Sequence, residues 1–196
     1  MINKTLQYYD EHAVDFTNST VNVDFKKTQD HFLNFIKPNG LILDFGCGSG
    51  RDTKYFLSQG YQVDAIDGSQ ELCQIASEYT GIKVKQMLFQ ELDDCNIYDG
   101  IWACSSILHL SKSELKDVFH KMALALKDDG SIYTSFKYGT FEGERHGRYF
   151  TDFTLETFQS FLDNQTDLKL SDYWITGDVR ANRGDEKWLN VILQKQ

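Results

Sequence analysis

The sequence predicts an α/β fold built around a largely parallel sheet. From residue 41 onward, short β-rich runs alternate with segments of helical period, and this order is typical of parallel β-α-β units. Residues 41–47 form a nearly continuous apolar run, as expected for a central strand that is covered on both faces. Only residues 178–186 separate the last two β-rich runs, which leaves no room for a crossover helix, so these two strands are expected to pair antiparallel.

Length and composition indicate one folded domain. The chain has 196 residues, of which 41% are hydrophobic and 14% aromatic. Such a supply of apolar side chains is sufficient for a core and excludes a disordered chain. We therefore predict a single domain over 1–196, with an N-terminal helical cap over 1–37 and the core sheet and helices over 38–196.

The charge balance is acidic, with 29 Asp and Glu against 20 Lys and Arg, for a net charge of −9. An acidic surface repels phosphate backbones, so no nucleic-acid partner is expected. No apolar run reaches the ~20 residues of a bilayer span, and the N-terminus lacks the apolar core of a signal peptide, so a cytoplasmic location without a membrane partner is expected. Four widely spaced cysteines predict reduced thiols and no metal site.

Periodicity and turn residues predict the individual elements. Two helical segments precede the sheet, one around Tyr8 to Phe16 and one in which Phe32, Phe35 and Ile36 share a face. Strands are predicted at 41–47, 61–67, 82–88, 98–104, 131–139, 168–177 and 187–195. A first helix is predicted at 51–60. A second begins after a Ser69 cap, places Leu72, Ile75, Ala76 and Tyr79 on one face and ends at Gly81. A third begins with a Ser111–Glu114 capping box and ends at 128–130, and a fourth contains Leu155, Phe158 and Leu162.

The segment LDFGCGSGR is the strongest local signal for a ligand site. Glycines at 46, 48 and 50 permit a tight strand-to-helix turn whose backbone N–H groups a ligand can approach. The spacing is GxGxG, and Arg51 stands where the last glycine of a GxGxxG dinucleotide motif would fall, which disfavours a pyrophosphate site. The absence of a GK[ST] motif excludes a nucleoside-triphosphate P-loop.

Asp67 is predicted to bind the ribose of an adenosine cofactor. It ends the second predicted strand, 23 residues after Asp44. A carboxylate at this position can accept hydrogen bonds from both ribose hydroxyls. The alternative is an acid that caps a helix or stabilises a turn.

Taken together, LILDFGCGSG, VDAIDGS, YDGIWACSSILHL and GSIYTSFKYG resemble the class I S-adenosylmethionine-dependent methyltransferases of the methyltransferase-11/25 type over most of residues 40–137. HGRYFTDFT and RANRGDEKWLNV are similar to a subgroup of small bacterial methyltransferases. The resemblance implies a Rossmann-like seven-stranded sheet of order 3-2-1-4-5-7-6 with strand 7 antiparallel, helices on both faces, and S-adenosylmethionine as cofactor.

The resemblance also implies roles for residues near the cofactor. Asp44, Gly46, Cys47 and Gly48 would surround its methionine part, Asp67 would hold its ribose, and Gly68 and Ser69 would lie beside the ribose or adenine. Many members place an acid after strand 3, where this chain has QMLFQEL. Met87, Leu88 and Phe89 would then contact the adenine ring, with its amino group left to Gln90 or a carbonyl; the alternative for this apolar cluster is plain core burial.

Two residues after the fourth predicted strand carry reactive groups. Cys104 is interpreted as a wall of the cofactor pocket, because methyl transfer from a sulfonium needs no thiol nucleophile. His109 is the candidate general base, because its ordinary pKa near ~6.5 suits deprotonation at neutral pH. The alternative for His109 is a structural role in the cofactor site or its loop.

Arginine and aromatic residues after the fifth predicted strand suit recognition of an anionic group on a small acceptor. The candidates are Tyr138, Glu142, Glu144, Arg145, Arg148 and Tyr149, with Arg180, Arg183 and Trp188 near the last strand, and with Tyr8, Tyr9 and Phe16 closing the pocket. The alternative is a solvated surface in which the arginines pair with Glu142, Glu144, Asp178 and Asp185.

The predicted function is methyl transfer to a small-molecule acceptor, mainly by proximity and orientation. A cofactor-binding regulatory protein on the same fold is one alternative, since fold does not fix function. A nicotinamide-dependent oxidoreductase is another, weakened by the GxGxG spacing. The acceptor atom and the oligomeric state are left open.

Overall fold

The computed structural model describes residues 4–163, 167–179 and 185–196. Its strands are β1 (Leu41–Phe45), β2 (Gln62–Asp67), β3 (Lys85–Gln86), β4 (Tyr98–Ala103), β5 (Leu126–Lys137), β6 (Glu142–Arg145), β7 (Arg148–Thr151), β8 (Leu168–Gly177) and β9 (Lys187–Lys195). Its helices are α1 (Lys4–Glu11), α2 (Ala13–Thr20), α3 (Lys26–Leu33), α4 (Arg51–Ser58), α5 (Gln70–Thr80), α6 (Lys112–Ala125) and α7 (Leu155–Leu162). None of the helices in these ranges is long and apolar enough to cross a bilayer.

Seven of the strands form one sheet, in the order β3-β2-β1-β4-β5-β9-β8. Neighbouring strands from β3 to β5 pair parallel, whereas β9 pairs antiparallel with both β5 and β8. In the numbering of the seven predicted strands this order is 3-2-1-4-5-7-6, so the predicted Rossmann-like topology is confirmed. The parallel pairing brings the carboxyl ends of β1 to β5 to one edge, where open α/β sheets bind ligands.

Helices pack on both faces of the sheet. On one face, Phe119 of α6 and Phe158 of α7 are buried in the same apolar cluster as Ile101 of β4. On the other face Phe32 of α3 and Phe56 of α4 pack against Trp102. Because Ile101 and Trp102 are adjacent in β4 and both are fully buried, this central strand is covered on each side.

The predicted cap of α6 is confirmed. The Ser111 hydroxyl accepts from the N–H of Glu114, and the Glu114 carboxylate accepts from the N–H of Ser111 at 2.8 Å.

We expect Ser111→Ala to lower the free energy of unfolding by about 1 kcal/mol, because the replacement leaves the Glu114 N–H without its cap. Denaturant unfolding measures this loss. Ser113→Ala, an exposed serine in the same turn, should cost less, and equal losses in the two variants would contradict the capping role.

The predicted strand over 82–88 was wrong in extent, since β3 contains only Lys85 and Gln86. Side-chain hydroxyls on the end of α5 take the backbone N–H groups that a longer strand would need. The N–H of Val84 donates to the Ser77 hydroxyl at 2.9 Å, and the N–H of Ile82 donates to Thr80. After Gln86 the chain enters a short 3-10 turn, Phe89–Glu91.

Other boundaries also differ from the sequence predictions. The strand predicted at 131–139 begins earlier, at Leu126, directly after α6. The pairing of β5 with β4 shifts register between Tyr98 and Gly100, so β5 pairs with β4 both before and after this irregularity. The helix around Tyr8 to Phe16 is two helices, α1 and α2. Tyr79 is 42% exposed and does not join the buried face of α5. The segment after β5, for which no strand is predicted, contains the β6–β7 hairpin.

Candidate functional site

A cavity lies where the strands end, beneath α1 and α2. Its lining combines the turns after β1, β2 and β4 with side chains from the N-terminal helices, the β6–β7 hairpin and the last two strands. Among the lining residues are Tyr9, Phe16, Gly46, Cys47, Gly48, Arg51, Asp67, Gly68, Met87, Leu88, Phe89, Gln90, Cys104, Ser105, Ser106, His109, Lys137, Arg148, Phe150, Asp178 and Trp188. The cavity therefore joins the predicted cofactor residues to several of the predicted acceptor residues.

The glycine turn after β1 has a geometry that larger residues do not fit. Gly46 has φ +89°, and a Cβ placed there would lie 2.5 Å from the Cβ of Ser106. The N–H of Gly48 donates to the Asp67 carboxylate at 2.9 Å. The turn after β1 and the end of β2 are thus held close together at the floor of the cavity, and the Phe16 ring of α2 packs over Gly48, 3.0 Å from where a Cβ would lie.

Asp67 is the best-placed hydrogen-bond acceptor of this region. Its two oxygens accept from the N–H groups of Gly48 and Ser69, each at 2.9 Å. Burial raises the pKa of Asp67, and these backbone hydrogen bonds oppose the rise by stabilising the charged form. The carboxylate therefore does stabilise the turn, and because each oxygen has further lone pairs it can also accept from a pair of vicinal hydroxyls.

Two predicted cofactor residues lie behind the cavity wall. Asp44 is 1% exposed and accepts from the Thr53 hydroxyl at 2.5 Å. Burial, and after it the neighbouring Asp52, raises the pKa of Asp44. Ser69 caps α5 and donates to the Asp10 carboxylate at 2.6 Å. Neither side chain is among the lining residues, so both support the turns that carry Gly48 and Asp67.

The apolar cluster after β3 forms one side of the cavity. Leu88 is 40% exposed although it is apolar, and it lies near Leu6 of α1 over Gly68. Phe89 packs on Phe45 with ring centroids 4.8 Å apart, while Met87 is buried. Plain core burial accounts for Met87 and does not account for Leu88, which suits contact with a flat apolar ring.

Sequence reasoning missed a buried polar cluster around Asp52 next to the glycine turn. The Asp52 carboxylate accepts from Arg51 through two N–H groups at 2.8 Å, from Gln29 at 2.6 Å and from the Trp102 indole at 2.8 Å. Burial opposes the charge of Arg51, but Asp52 outweighs it and raises the pKa of the guanidinium. The adjacent Arg-Asp pair after GCGSG was the only available signal, because Gln29 and Trp102 are remote in sequence.

Cys104 lies at the same side of the cavity, with its Sγ 3.8 Å from Arg51 Nη2. Burial raises the pKa of this thiol to about 12. A thiol that stays protonated at neutral pH is a poor nucleophile. These observations agree with the interpretation of Cys104 as a wall residue.

His109 is held by hydrogen bonds on both ring nitrogens. Its Nδ1 lies 2.6 Å from the carbonyl oxygen of Tyr149, which can only accept, so Nδ1 carries the hydrogen. In the neutral ring Nε2 then accepts from the Tyr9 hydroxyl at 2.8 Å. Burial lowers the pKa of His109 to about 4; the Tyr149 hydrogen bond opposes this change, and nearby Arg148 adds to it. The neutral ring thus connects α1 to the hairpin.

We expect the buried neutral His109 to make the protein sensitive to acid. Between its unfolded pKa near ~6.5 and its folded pKa, the unfolded chain binds a proton that the folded protein does not, so lowering the pH favours unfolding. In urea titrations from pH 7 to 4, His109→Gln should lose less stability than wild type. Parallel curves for wild type and His109→Gln would contradict this.

Arg148 is the cation of the hairpin that reaches the cavity. Its Nη1 donates to the Tyr9 hydroxyl at 3.3 Å, and its guanidinium lies 4.4 Å from the centroid of Tyr8 and 5.1 Å from that of Phe150. Tyr8 is therefore near the site without lining it. Among the described residues, no carboxylate lies within ion-pair distance of Arg148, and its buried Nε has no hydrogen-bond partner.

The remaining predicted acceptor residues are mostly engaged with each other. Arg145 pairs with Asp152 at 2.5 Å, Glu144 with Lys4 at 3.0 Å, and the Tyr149 hydroxyl donates to Glu142 at 3.2 Å. Tyr138 and Tyr149 do not line the cavity. The Asp178 carboxylate accepts from the Trp188 indole at 3.3 Å. Arg180 and Arg183 lie outside the described residues. Glu142 also pairs with Lys112 at 3.3 Å, so ion pairing within the protein accounts for Arg145, Glu142 and Glu144.

Part of the chain is similar to a known protein family. Residues 42–130 match the family model described as a methyltransferase domain. An uncharacterized methyltransferase of Staphylococcus carnosus is 27% identical over 123 residues, which cover 59% of this chain and 59% of that protein. The matched segment thus spans less than two thirds of the relative's length.

Solved structures share the fold over nearly the whole chain. The 1,6-didemethyltoxoflavin-N1-methyltransferase of Burkholderia thailandensis, solved with 1,6-didemethyltoxoflavin and S-adenosylhomocysteine, has a TM-score of 0.75 at 20% identity and covers 97% of this chain and 85% of its own. A Rhodobacter sphaeroides protein, named as a Zn-dependent alcohol dehydrogenase, has a TM-score of 0.77 at 13% identity, covering 100% and 99%. At these identities the likeness shows the fold alone. Within the part of this chain that the structure describes, no three His, Cys, Asp or Glu side chains are placed to hold a metal ion.

Proposed function

We propose, on the premise that this chain is a class I S-adenosylmethionine-dependent methyltransferase, that it methylates a small acceptor held at the outer end of the cavity. The observation that carries the proposal is the continuous cavity that joins Asp67 and the glycine turn to Tyr9 and Arg148. A donor at one end and an acceptor at the other would meet inside a shared space roofed by α1 and α2, which favours catalysis by proximity and orientation.

The residues at the inner end fit S-adenosylmethionine. Asp67 would accept from the ribose hydroxyls, and Leu88 and Phe89 would contact the adenine ring. The backbone of Gly46 to Gly48 would lie against the methionine part, where a Cβ on Gly46 would displace Ser106. When bound, this cofactor supplies a methyl group on a positively charged sulfur that is itself the leaving group.

The outer end suits a small acceptor that carries negative charge. Arg148 lines it as a cation without a carboxylate partner among the described residues. The walls include Phe150 and Trp188, so an apolar body can pack beside the charge. A nucleic acid is disfavoured as acceptor by the net charge of −9. We place the protein in the cytoplasm, where its four unpaired cysteines would stay reduced.

The test is calorimetric titration followed by a turnover assay. We expect the protein to bind S-adenosylmethionine and S-adenosylhomocysteine, and to bind reduced nicotinamide dinucleotide much more weakly. Formation of S-adenosylhomocysteine during screens of small acceptors would then report methyl transfer. Tight nicotinamide binding without S-adenosylmethionine binding would favour an oxidoreductase instead. Cofactor binding with no turnover across broad acceptor screens would favour a regulatory protein.

A further inference from the structure

The hydrogen-bond chain through Tyr9 and His109 leaves His109 without a free lone pair for an acceptor proton. The hydroxyl of Tyr9 donates to His109 Nε2, and His109 Nδ1 donates to the Tyr149 carbonyl. If His109 took up a proton, it would lose its hydrogen bond from Tyr9 and place a cation beside Arg148. The geometry therefore makes His109 a positioning residue for Tyr9.

Tyr9 itself is no better as a base. Its oxygen receives the Arg148 N–H and its hydrogen is committed to His109. Burial raises the pKa of Tyr9, and Arg148 only opposes this change, so the phenol stays protonated. A proton transferred to Tyr9 would have to continue to His109, which is poorly placed to keep it.

The carboxylates and the lysine of the described lining also hold hydrogen bonds or ion pairs, and the carboxylates keep further lone pairs. Asp52 accepts from four N–H groups, and Asp67 is bound to two backbone N–H groups. Lys137 pairs with Glu186, and Arg145, which also faces His109, pairs with Asp152. The remaining groups are the protonated thiols of Cys47 and Cys104, and Asp178, which accepts from Trp188.

Arg148 differs, because no carboxylate among the described residues pairs with it. Within the same residues it donates a hydrogen bond to Tyr9 alone, its Nε is buried without a partner, and its guanidinium lies against the rings of Tyr8 and Phe150. An anion in the cavity would meet this guanidinium charge and would be stabilised in its ionised form.

We propose that the acceptor is an acidic aromatic compound, bound already ionised at the atom to be methylated, with its negative charge held by Arg148 and no proton removed by the protein. The proposal rests on the methyltransferase function above. The electron pair of the acceptor anion forms the new bond to the methyl carbon, and the pair of the broken sulfur–carbon bond stays on sulfur. A cation and an anion thereby become two uncharged centres, so the balance needs no base.

The experiment uses the full chain saturated with S-adenosylhomocysteine, with 4-nitrophenol as probe and 4-nitrobenzyl alcohol as the analogue that does not ionise. Titrations are made about one pH unit below the pKa of free 4-nitrophenol. We expect the phenolate absorbance band to appear on binding, and calorimetry in two buffers of different ionisation enthalpy to show about one proton released per probe bound. The alcohol should bind at least about tenfold more weakly.

Variants assign the effect to Arg148. Arg148→Gln should abolish the phenolate band and the preference over the alcohol. Lys4→Gln removes a cation that pairs with the same hairpin outside the cavity, and it should retain both properties. The affinity of each variant for S-adenosylhomocysteine shows whether its fold is intact.

Three results would overturn the inference. The first is a probe that binds in its neutral form or does not bind at all. The second is binding without proton release, because a protein group would then have taken the proton. The third is a phenolate band that persists in Arg148→Gln. A protein that binds no S-adenosylhomocysteine would instead count against the proposed function. The two failures are therefore distinguishable in the same titration.

Discussion

Replacing Asp52 with alanine should lower the free energy of unfolding by about 3–5 kcal/mol, the range for removing one partner of a buried ion pair. Four N–H groups on Arg51, Gln29 and Trp102 share this carboxylate, and Asp52 is buried. Without it, the Arg51 charge and the Trp102 indole N–H lose their acceptor at the base of α4. Equilibrium unfolding in urea or guanidinium measures the loss.

A graded series of substitutions tests whether the contacts of Asp52 account for the loss of stability. Gln29→Ala removes one of the four donors and keeps the ion pair, so its loss should be smaller than that of Asp52→Ala. Asp52→Asn keeps one acceptor oxygen and the side-chain volume, and should fall between the two. If Asp52→Ala unfolds within about 1 kcal/mol of wild type, the cluster does not contribute as described.

Replacing Asp67 with alanine should weaken S-adenosylmethionine binding by about 1.5–3 kcal/mol, or roughly 10- to 150-fold in the dissociation constant. The reason is the loss of charge-assisted hydrogen bonds from the ribose hydroxyls. The substitution also releases the N–H groups of Gly48 and Ser69, so the turn that carries the cofactor backbone contacts is less well held. Calorimetric titration gives the affinities directly.

Asp64→Ala is the matched control, because Asp64 is an exposed acid on the same strand outside the cavity lining. It should bind the cofactor with wild-type affinity. Thermal unfolding of Asp67→Ala separates lost contacts from a lost fold. Wild-type affinity in a folded Asp67→Ala protein would remove this residue from the cofactor site.

The fold could be predicted well where local sequence determines it. The bounds of β8 and β9 agree with the predictions, and their short connection explains the antiparallel pairing. Ser69 and Ser111 mark helix starts because a cap acts within one turn. The shortness of β3 could not be predicted in the same way, since Ser77 takes the N–H of Val84 only once both are in place.

In the candidate site, too, the local contacts could be predicted from the sequence and the contacts between distant residues could not. Asp67 and the glycine turn lie within one β-α-β unit, formed by β1, α4 and β2, so their spacing predicted that they meet. The contact between Tyr9 and His109 joins residues 100 apart in sequence, and it decides which nitrogen of His109 carries the hydrogen. No pattern in the sequence could indicate that this candidate base has its lone pair occupied. Pairing between distant elements is what the sequence leaves unspecified.

Helix α1 is bonded to both ends of the cavity. Asp10 accepts from Ser69 beside the cofactor end, and Thr5 accepts from the N–H of Tyr149 on the hairpin beside the acceptor end. A ligand that immobilises α1 at either end removes part of the entropy cost that a second ligand would otherwise meet. Donor and acceptor should therefore bind with positive cooperativity, and thermodynamic linkage makes the gain in affinity the same in both directions.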